Sequence, residues 1–439
     1  MILFPCEVFH REFDAKLLLA SHLCSKQKNS VLIGYDKHFN NLLPHLADCV
    51  LLDKSCSSLM WNSRIKPCLS HDGRVVISDE EGFNNINKTN SAMWSTRLDF
   101  DAAKSIDLYA CWGNIDYEYF SRFSELSSKL NILGNCRSDL LSSCGKDLYS
   151  ELSSSFGRVF SKYVMCVDNF CVEHRLGSYK PPAFNKSIDE NRRVEEEFNK
   201  RQEEQKIRRD FYASLLKKVA AKLPSLTFIV RPHPCADERW WCDQFWSYRN
   251  VHILYHHNIE PWLHSATAVI SMGCTTSLQA IVASTPVIEV KNDMNLTTLD
   301  SANKGYAHNY TKLFCQNEVE LLDCLSSAAQ TPHNTFRSLD LLNQNWHNCF
   351  ESNTSSVFSE YIYELSRQCN ASSFSNNIKH LEGYRNFRQK SRLAVNSIKW
   401  ISPSLPHIER LLSDISKAFS LDRPQLTKVC DDLYLLRPS

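Results

Sequence analysis

Apolar positions along this chain fall into short clusters separated by longer mixed stretches. Ile2–Phe4, Val31–Gly34, Val50–Leu52, Val75–Ile77, Leu108–Ala110 and Ile132–Gly134 are each such a cluster. Apolar runs this short, joined by helix-length connections, predict βαβ units whose strands are buried on both faces. In the first connection, about 12–25, Phe13, Leu17, Leu18 and His22 recur at helical spacing. A second alternating series begins at Tyr163–Asp168. The charged segment that follows, about 188–222, repeats Glu and Arg and becomes apolar only at its end, with Phe211, Leu215, Leu216 and Val219. It reads as one long, largely exposed helix. Strands are then expected at Phe228–Val230, His252–Tyr255, Val269–Ser271 and Val287–Val290, with a helix over Ser277–Ser284. The pattern therefore predicts an α/β fold of two doubly wound halves facing a central cleft. The halves should cover residues 1–155 and 156–330, joined by a crossover near 145–162, and residues 331–439 should form a helical C-terminal extension.

Length agrees, since 439 residues are more than one core usually holds. A net charge of +1 gives no overall field for nucleic acid, so any membrane attraction must be local. The local candidate is 379–399, where Arg385, Arg388, Lys390 and Arg392 stand among Tyr384, Phe387 and Leu393, with Trp400 beyond. Such a stretch can lie against the anionic inner face of a membrane. A solvated helix face packed on the main body is the preferred reading. Eighteen cysteines contain no Cys-x-x-Cys pair, and no basic region precedes Glu7 at the N-terminus. Reduced, mostly buried thiols in a cytoplasmic protein are expected. With eleven glycines and no Gly-x-Gly-x-x-Gly, a dinucleotide fingerprint is missing. His174, His256, His257 and His264 share no metal-ligand spacing, so neither a metal nor another cofactor is expected.

Candidate chemistry gathers at the carboxyl ends of the expected strands, where open parallel sheets bind ligands. Asp79-Glu80-Glu81-Gly82 follows Val75–Ile77. A carboxylate there could deprotonate an acceptor hydroxyl, although an acidic turn before a helix is the commoner outcome. Asp168 ends the Tyr163–Val167 run. It could attack an anomeric carbon covalently or simply cap the following turn, and spacing alone does not decide. In Arg231-Pro232-His233-Pro234 two prolines fix the backbone around His233, whose imidazole could neutralise charge on a leaving phosphate. Gly273-Cys274-Thr275-Thr276-Ser277 leads from a strand into a helix. Backbone N–H groups and hydroxyls there could hold a phosphate, and Thr or Ser could equally serve as the helix N-cap.

Taken in order, Asp79-Glu80-Glu81-Gly82, the segment Gly134–Leu141, Val167-Asp168-Asn169-Phe170, Arg231–Pro234 and Thr275-Thr276-Ser277 resemble bacterial surface-carbohydrate biosynthesis proteins related to the retaining β-Kdo transferases. The match spans roughly residues 75–290 and leaves out 331–439. The resemblance implies a GT-B fold of two Rossmann-like domains. It also implies a CMP-activated sugar such as CMP-Kdo, a glycan or lipid-linked glycan acceptor, and a metal-independent mechanism. Asp168 would then form a glycosyl-enzyme adduct. Arg231, His233, Thr275, Thr276 and Ser277 would hold the nucleotide, and Glu81 would stand near the acceptor. Many GT-B enzymes place a Glu for the ribose where Gln279 stands, so the nucleotide contact there should differ. A CDP-polyol phosphotransferase, a sugar-nucleotide epimerase and a catalytically degenerate scaffold subunit are the rival readings.

Overall fold

The computed structural model describes residues 1–80, 98–170, 188–234, 236–291, 309–391 and 402–439. The chain forms two compact units. One holds the described residues to Leu148 together with Asp340–Ser439, and the other holds Tyr149–Leu339. In the first unit β1 (Ile2–Cys6), β2 (Val31–Tyr35), β3 (Val50–Asp53), β4 (Arg74–Ser78), β5 (Leu108–Cys111) and β6 (Leu130–Ile132) pair in parallel, in the order β2-β1-β3-β4-β5-β6. In the second, β7 (Tyr163–Val167), β8 (Thr227–Arg231), β9 (Val251–Ile253), β10 (Ala268–Ser271), β11 (Val287–Val290) and β12 (Leu313–Cys315) form a parallel sheet in the order β12-β11-β10-β7-β8-β9. These are the expected α/β fold and its two Rossmann-like, doubly wound sheets.

Each sheet carries its own core, because strands buried on both faces must be covered by helices on both. In the second unit Val164, Cys166, Phe228, Val230 and Ile270 pack against Tyr212, Leu216 and Val219 from the Ile188–Lys222 helix. That helix departs from expectation. Its second half is only partly solvated: Lys206, Asp210 and Lys218 are exposed, but Gln205, Arg208 and Arg209 are buried together with its apolar residues. Charge density along the sequence cannot distinguish a solvated face from one whose charges are paired or bonded inside the fold.

The segment from 331 also differs from a purely helical extension. Residues 332–335 form a short 3-10 turn tied to the second unit, where Lys312 N–H donates to the Thr335 carbonyl at 2.7 Å. From Asp340 onward the chain belongs to the first unit and ends in a hairpin, β13 (Gln425–Cys430) and β14 (Leu433–Arg437). β14 pairs antiparallel with β2, which extends the first sheet at that edge. Two glycines make room for the returning chain. A Cβ on Gly34 would lie 2.1 Å from the Asp432 carbonyl oxygen, and one on Gly113 would lie 2.3 Å from the Asn345 carbonyl. The crossover likewise sides with the second unit, because Phe156 stacks on Trp262 with ring centroids 3.8 Å apart.

The tail is also fastened by a buried carboxylate. Asp139 accepts the N–H groups of Thr354 at 3.0 Å and Ser355 at 2.7 Å, and so caps the Thr354–Ser366 helix from a distant segment. Burial outweighs these bonds and raises its pKa from 3.8 to about 6. An acid whose folded pKa is raised holds its proton more tightly in the native state. Its contribution is therefore complete below pH 3.8 and lost as pH rises towards about 6. At about 1.4 kcal/mol per pKa unit, the loss is on the order of 2–3 kcal/mol. Asp139→Asn should remove this component of the pH slope. Urea unfolding of both proteins at several pH values checks it, and identical slopes would clear Asp139.

Candidate functional site

The chain order in the second sheet sets the site. From β7 the chain moves outward to β8 and β9, then crosses to β10 on the other side of β7 and continues to β11 and β12. The loops leaving β7 and β10 therefore diverge, and ligands of doubly wound sheets bind at such a switch point, beyond the strands' carboxyl ends. Here those loops are Asp168-Asn169-Phe170 and Met272-Gly273-Cys274.

Asp168 is 6% exposed. Its Oδ1 accepts the Phe170 N–H at 2.7 Å, and its Oδ2 accepts the Trp241 indole N–H at 2.9 Å and the His233 backbone N–H at 3.4 Å. Its own N–H donates to the Arg231 carbonyl at 3.1 Å. The carboxylate thus caps its turn and also joins the β7 loop, the His233 loop and the Arg239–Phe245 helix. His233, half-buried and flanked by Pro232 and Pro234, is held by its backbone. Arg231 is engaged by a neighbouring loop. Its guanidinium donates to the carbonyls of His256 at 3.0 Å and His257 at 2.6 Å and lies 4.7 Å from the Tyr255 ring centre. Burial lowers its pKa, and these carbonyls engage it as a strut for the 255–257 loop.

Across the switch point, the Asn169 side-chain amide donates to the Gly273 carbonyl and to that of Met272. Gly273 has φ +80°, a left-handed conformation that suits glycine. Its N–H donates to Ser271 Oγ at 3.1 Å. The Thr275–Val282 helix then begins with Cys274 as N-cap, which supplies no side-chain cap. Thr275, Thr276 and Ser277 lie within the helix's first turn, so none of them is the N-cap residue that the sequence equally allowed. Thr275 and Thr276 are half-buried, while Ser277 and Gln279 are buried at 0% and 3% exposure. An uncapped helix start concentrates backbone N–H groups and positive potential, which suits a phosphate.

The structure adds residues that the sequence pattern did not single out. The Arg208 guanidinium donates to the Met272 carbonyl from the long helix and lies 5.8 Å from the Phe170 ring centre. Glu289 pairs in register with Ser271 and is buried at 5% exposure. In the first unit, a buried ion network occupies the carboxyl edge of its sheet. Lys16 Nζ donates to the Pro5 carbonyl at 2.8 Å and Glu12 Oε2 at 3.3 Å, and it lies 3.4 Å from Glu80 Oε1. Arg137 pairs with the same Glu80 at 3.8 Å. Burial would lower the Lys16 pKa, but Glu12 and Glu80 outweigh it and raise it. A lysine directly before the apolar run Leu17–Ala20 was the available signal. Glu81 lies outside the described residues, as do Gly82, Glu173 and His174.

Among the described residues, no group of His, Cys, Asp and Glu side chains is arranged to hold a metal ion, and the cysteines are free thiols. Nor, among those residues, is any helix long and apolar enough to cross a membrane. Of the basic stretch at 379–399, Lys379 and Arg385 are exposed. Leu381 is buried on the same helix, and Tyr384 lies 3.0 Å from the His38 ring nitrogen. This portion has the packed-helix arrangement.

No protein-family model matches the chain, and no curated protein matches it. Among solved structures, the wall teichoic acid polymerase TagF is similar with a TM-score of 0.49 at 10% identity, over 84% of this chain and 89% of that one. UDP-GlcNAc 2-epimerase from Methanocaldococcus jannaschii gives 0.44 at 10% identity, over 80% and 82%. The enzyme of the same name from Neisseria meningitidis, bound to UDP-GlcNAc, gives 0.43 at 10% identity, over 72% and 76%. None of these likenesses carries a substrate or a residue role over to this chain.

Proposed function

We propose that this chain is a sugar-nucleotide-dependent glycosyltransferase of surface-glycan assembly, with the donor's phosphate held at the switch point of the second unit. The observation that carries the reading is the uncapped start of the Thr275–Val282 helix, set behind the left-handed Gly273 turn beside Asn169. His233 stands on the neighbouring strand end, where a partly exposed imidazole can meet charge developing on the leaving nucleotide. The order of motifs supports a CMP-activated keto-sugar, Kdo or a related nonulosonic acid, as donor. A glycan or lipid-linked glycan would be the acceptor, with Glu81 as its base.

Retention through an Asp168 adduct requires that carboxylate to leave some of the three N–H groups it accepts. The same contacts favour a second reading, a phosphotransferase using a CDP-activated polyol. That reaction attacks phosphorus and needs no anomeric nucleophile, so Asp168 could remain an anchor throughout.

Calorimetric titration with CMP and CDP tests the shared core of both readings. Wild type is expected to bind at least one of them. His233→Ala should bind about 10–100-fold more weakly, the worth of a charge-assisted hydrogen bond. Failure of wild type to bind either nucleotide would overturn the reading. Intact-protein mass spectrometry with CMP-Kdo then separates the two reactions. A gain of one Kdo supports the adduct, whereas CMP release from a CDP-polyol without an adduct supports the second.

A further inference from the structure

The turn that would hold the donor phosphate rests on an acid that neither motif nor strand-end position had marked. Glu289 lies within β11, one strand beyond β10 from the switch point, and its Cα partner is Ser271. Ile288 and Val290 belong to the core cluster, so alternation along the strand assigns Glu289 to the opposite face, together with Ser271. Ser277, Gly273 and Ser271, all parts of the turn or its flanks, each favour the ionised form of its carboxyl. Its Oε1 is buried and has no hydrogen-bond partner.

We propose that Glu289 is a positioning residue for this turn, bracing Gly273–Ser277 from within the sheet and, through its own charge, setting the turn's affinity for a phosphate group. The inference rests on the reading that the turn holds the donor's phosphate. Polar and titratable groups on three other elements interact electrostatically with the carboxyl: Arg208 and Tyr212 from the long helix, Cys274 from the turn, and Cys315 from β12. Of these, Arg208 alone carries a full positive charge. Burial is the largest influence and raises the Glu289 pKa from 4.5 to about 7, against the lowering effects of Ser277, Gly273, Arg208 and Ser271.

The carboxyl is therefore neutral in mildly acid solution and becomes ionised near neutrality. Neutral, it can both donate and accept, so it can bridge the hydroxyls of the turn without opposing an anion. Ionised, it places a negative charge beneath the helix start, where a phosphate would have to sit. Two unit charges about 6 Å apart at an effective dielectric of about 20 interact by more than enough to change affinity tenfold. Phosphate binding should weaken as pH rises through the Glu289 transition.

The test measures CMP binding by calorimetry at pH 6 and pH 8 for wild type and Glu289→Gln, whose side chain keeps its shape but cannot ionise. Taking the ratio between the two proteins cancels the second ionisation of CMP itself. The affinities should be similar at pH 6, and Glu289→Gln should bind about tenfold more tightly at pH 8. A ratio that does not change with pH would overturn the charge effect. Bracing has its own readout, hydrogen exchange of the 271–278 segment without any nucleotide. Glu289→Ala should lose protection there while β7 and β8 keep theirs. Unchanged protection would overturn the bracing role. If CMP binds neither protein, the donor reading falls together with the affinity effect, while the exchange result still decides the bracing.

Discussion

Deleting Gln425–Ser439 is expected to leave the first unit without a stable fold. β14 inserts between β2 and β13 and buries Leu433, Tyr434, Leu435 and Leu436, each at 2% exposure or less. Full burial of such a side chain is worth about 1.5–3 kcal/mol, so these four alone rival the whole stability of a typical domain, about 5–15 kcal/mol. The deletion also strips β2 of its antiparallel partner and exposes a row of unpaired backbone groups, an invitation to aggregation. Tyr35 N–H would lose the Asp432 carbonyl that it meets at 2.8 Å. Circular dichroism and thermal unfolding of the truncated protein check this. A soluble variant whose melting temperature stays within a few degrees of wild type would show that the hairpin is dispensable.

Asp168→Ala should cost the second unit about 3–5 kcal/mol. The substitution strands the N–H groups of Phe170, Trp241 and His233, and a buried donor without a partner costs about 1–3 kcal/mol. Asp168→Asn keeps one acceptor oxygen and should lose roughly half as much, since its amide nitrogen would face a donor. Any loss of transfer in Asp168→Ala would then come together with a loss of stability. Inactivity of Asp168→Ala is then not proof of a covalent role. Denaturant unfolding is the decisive readout, and a stability within about 1 kcal/mol of wild type would remove Asp168 as the anchor.

Much of this was legible because buried parallel strands announce themselves as short apolar runs. Val164–Val167, Phe228–Val230 and Val287–Val290 could be read locally, and with them the strand ends carrying Asp168 and His233. What the side chains do there was not legible in the same way. Arg231 turns to the carbonyls of His256 and His257, a choice set by the 255–257 loop and not by its own neighbours in sequence. Arg208 stands in a run of Glu, Lys and Arg that reads as solvated, yet the fold carries its guanidinium to Met272. Glu289 lies inside an apolar strand, and its pairing with Ser271 depends on sheet order. The C-terminal hairpin was hidden for a similar reason. Leu433–Leu436 pairs locally with β13, but its place in the sheet is set by β2, which is distant in sequence.

That return of the chain also orders the events of synthesis. The second unit is continuous from Tyr149 to Leu339 and can close while translation is still under way. The first unit begins earlier but lacks its edge partner until Leu436 has emerged from the ribosome. Domains usually complete in the order in which they are made. Here the order is reversed: the second unit can close first, and the first unit's sheet waits, half-assembled and in need of protection, until β14 has been made.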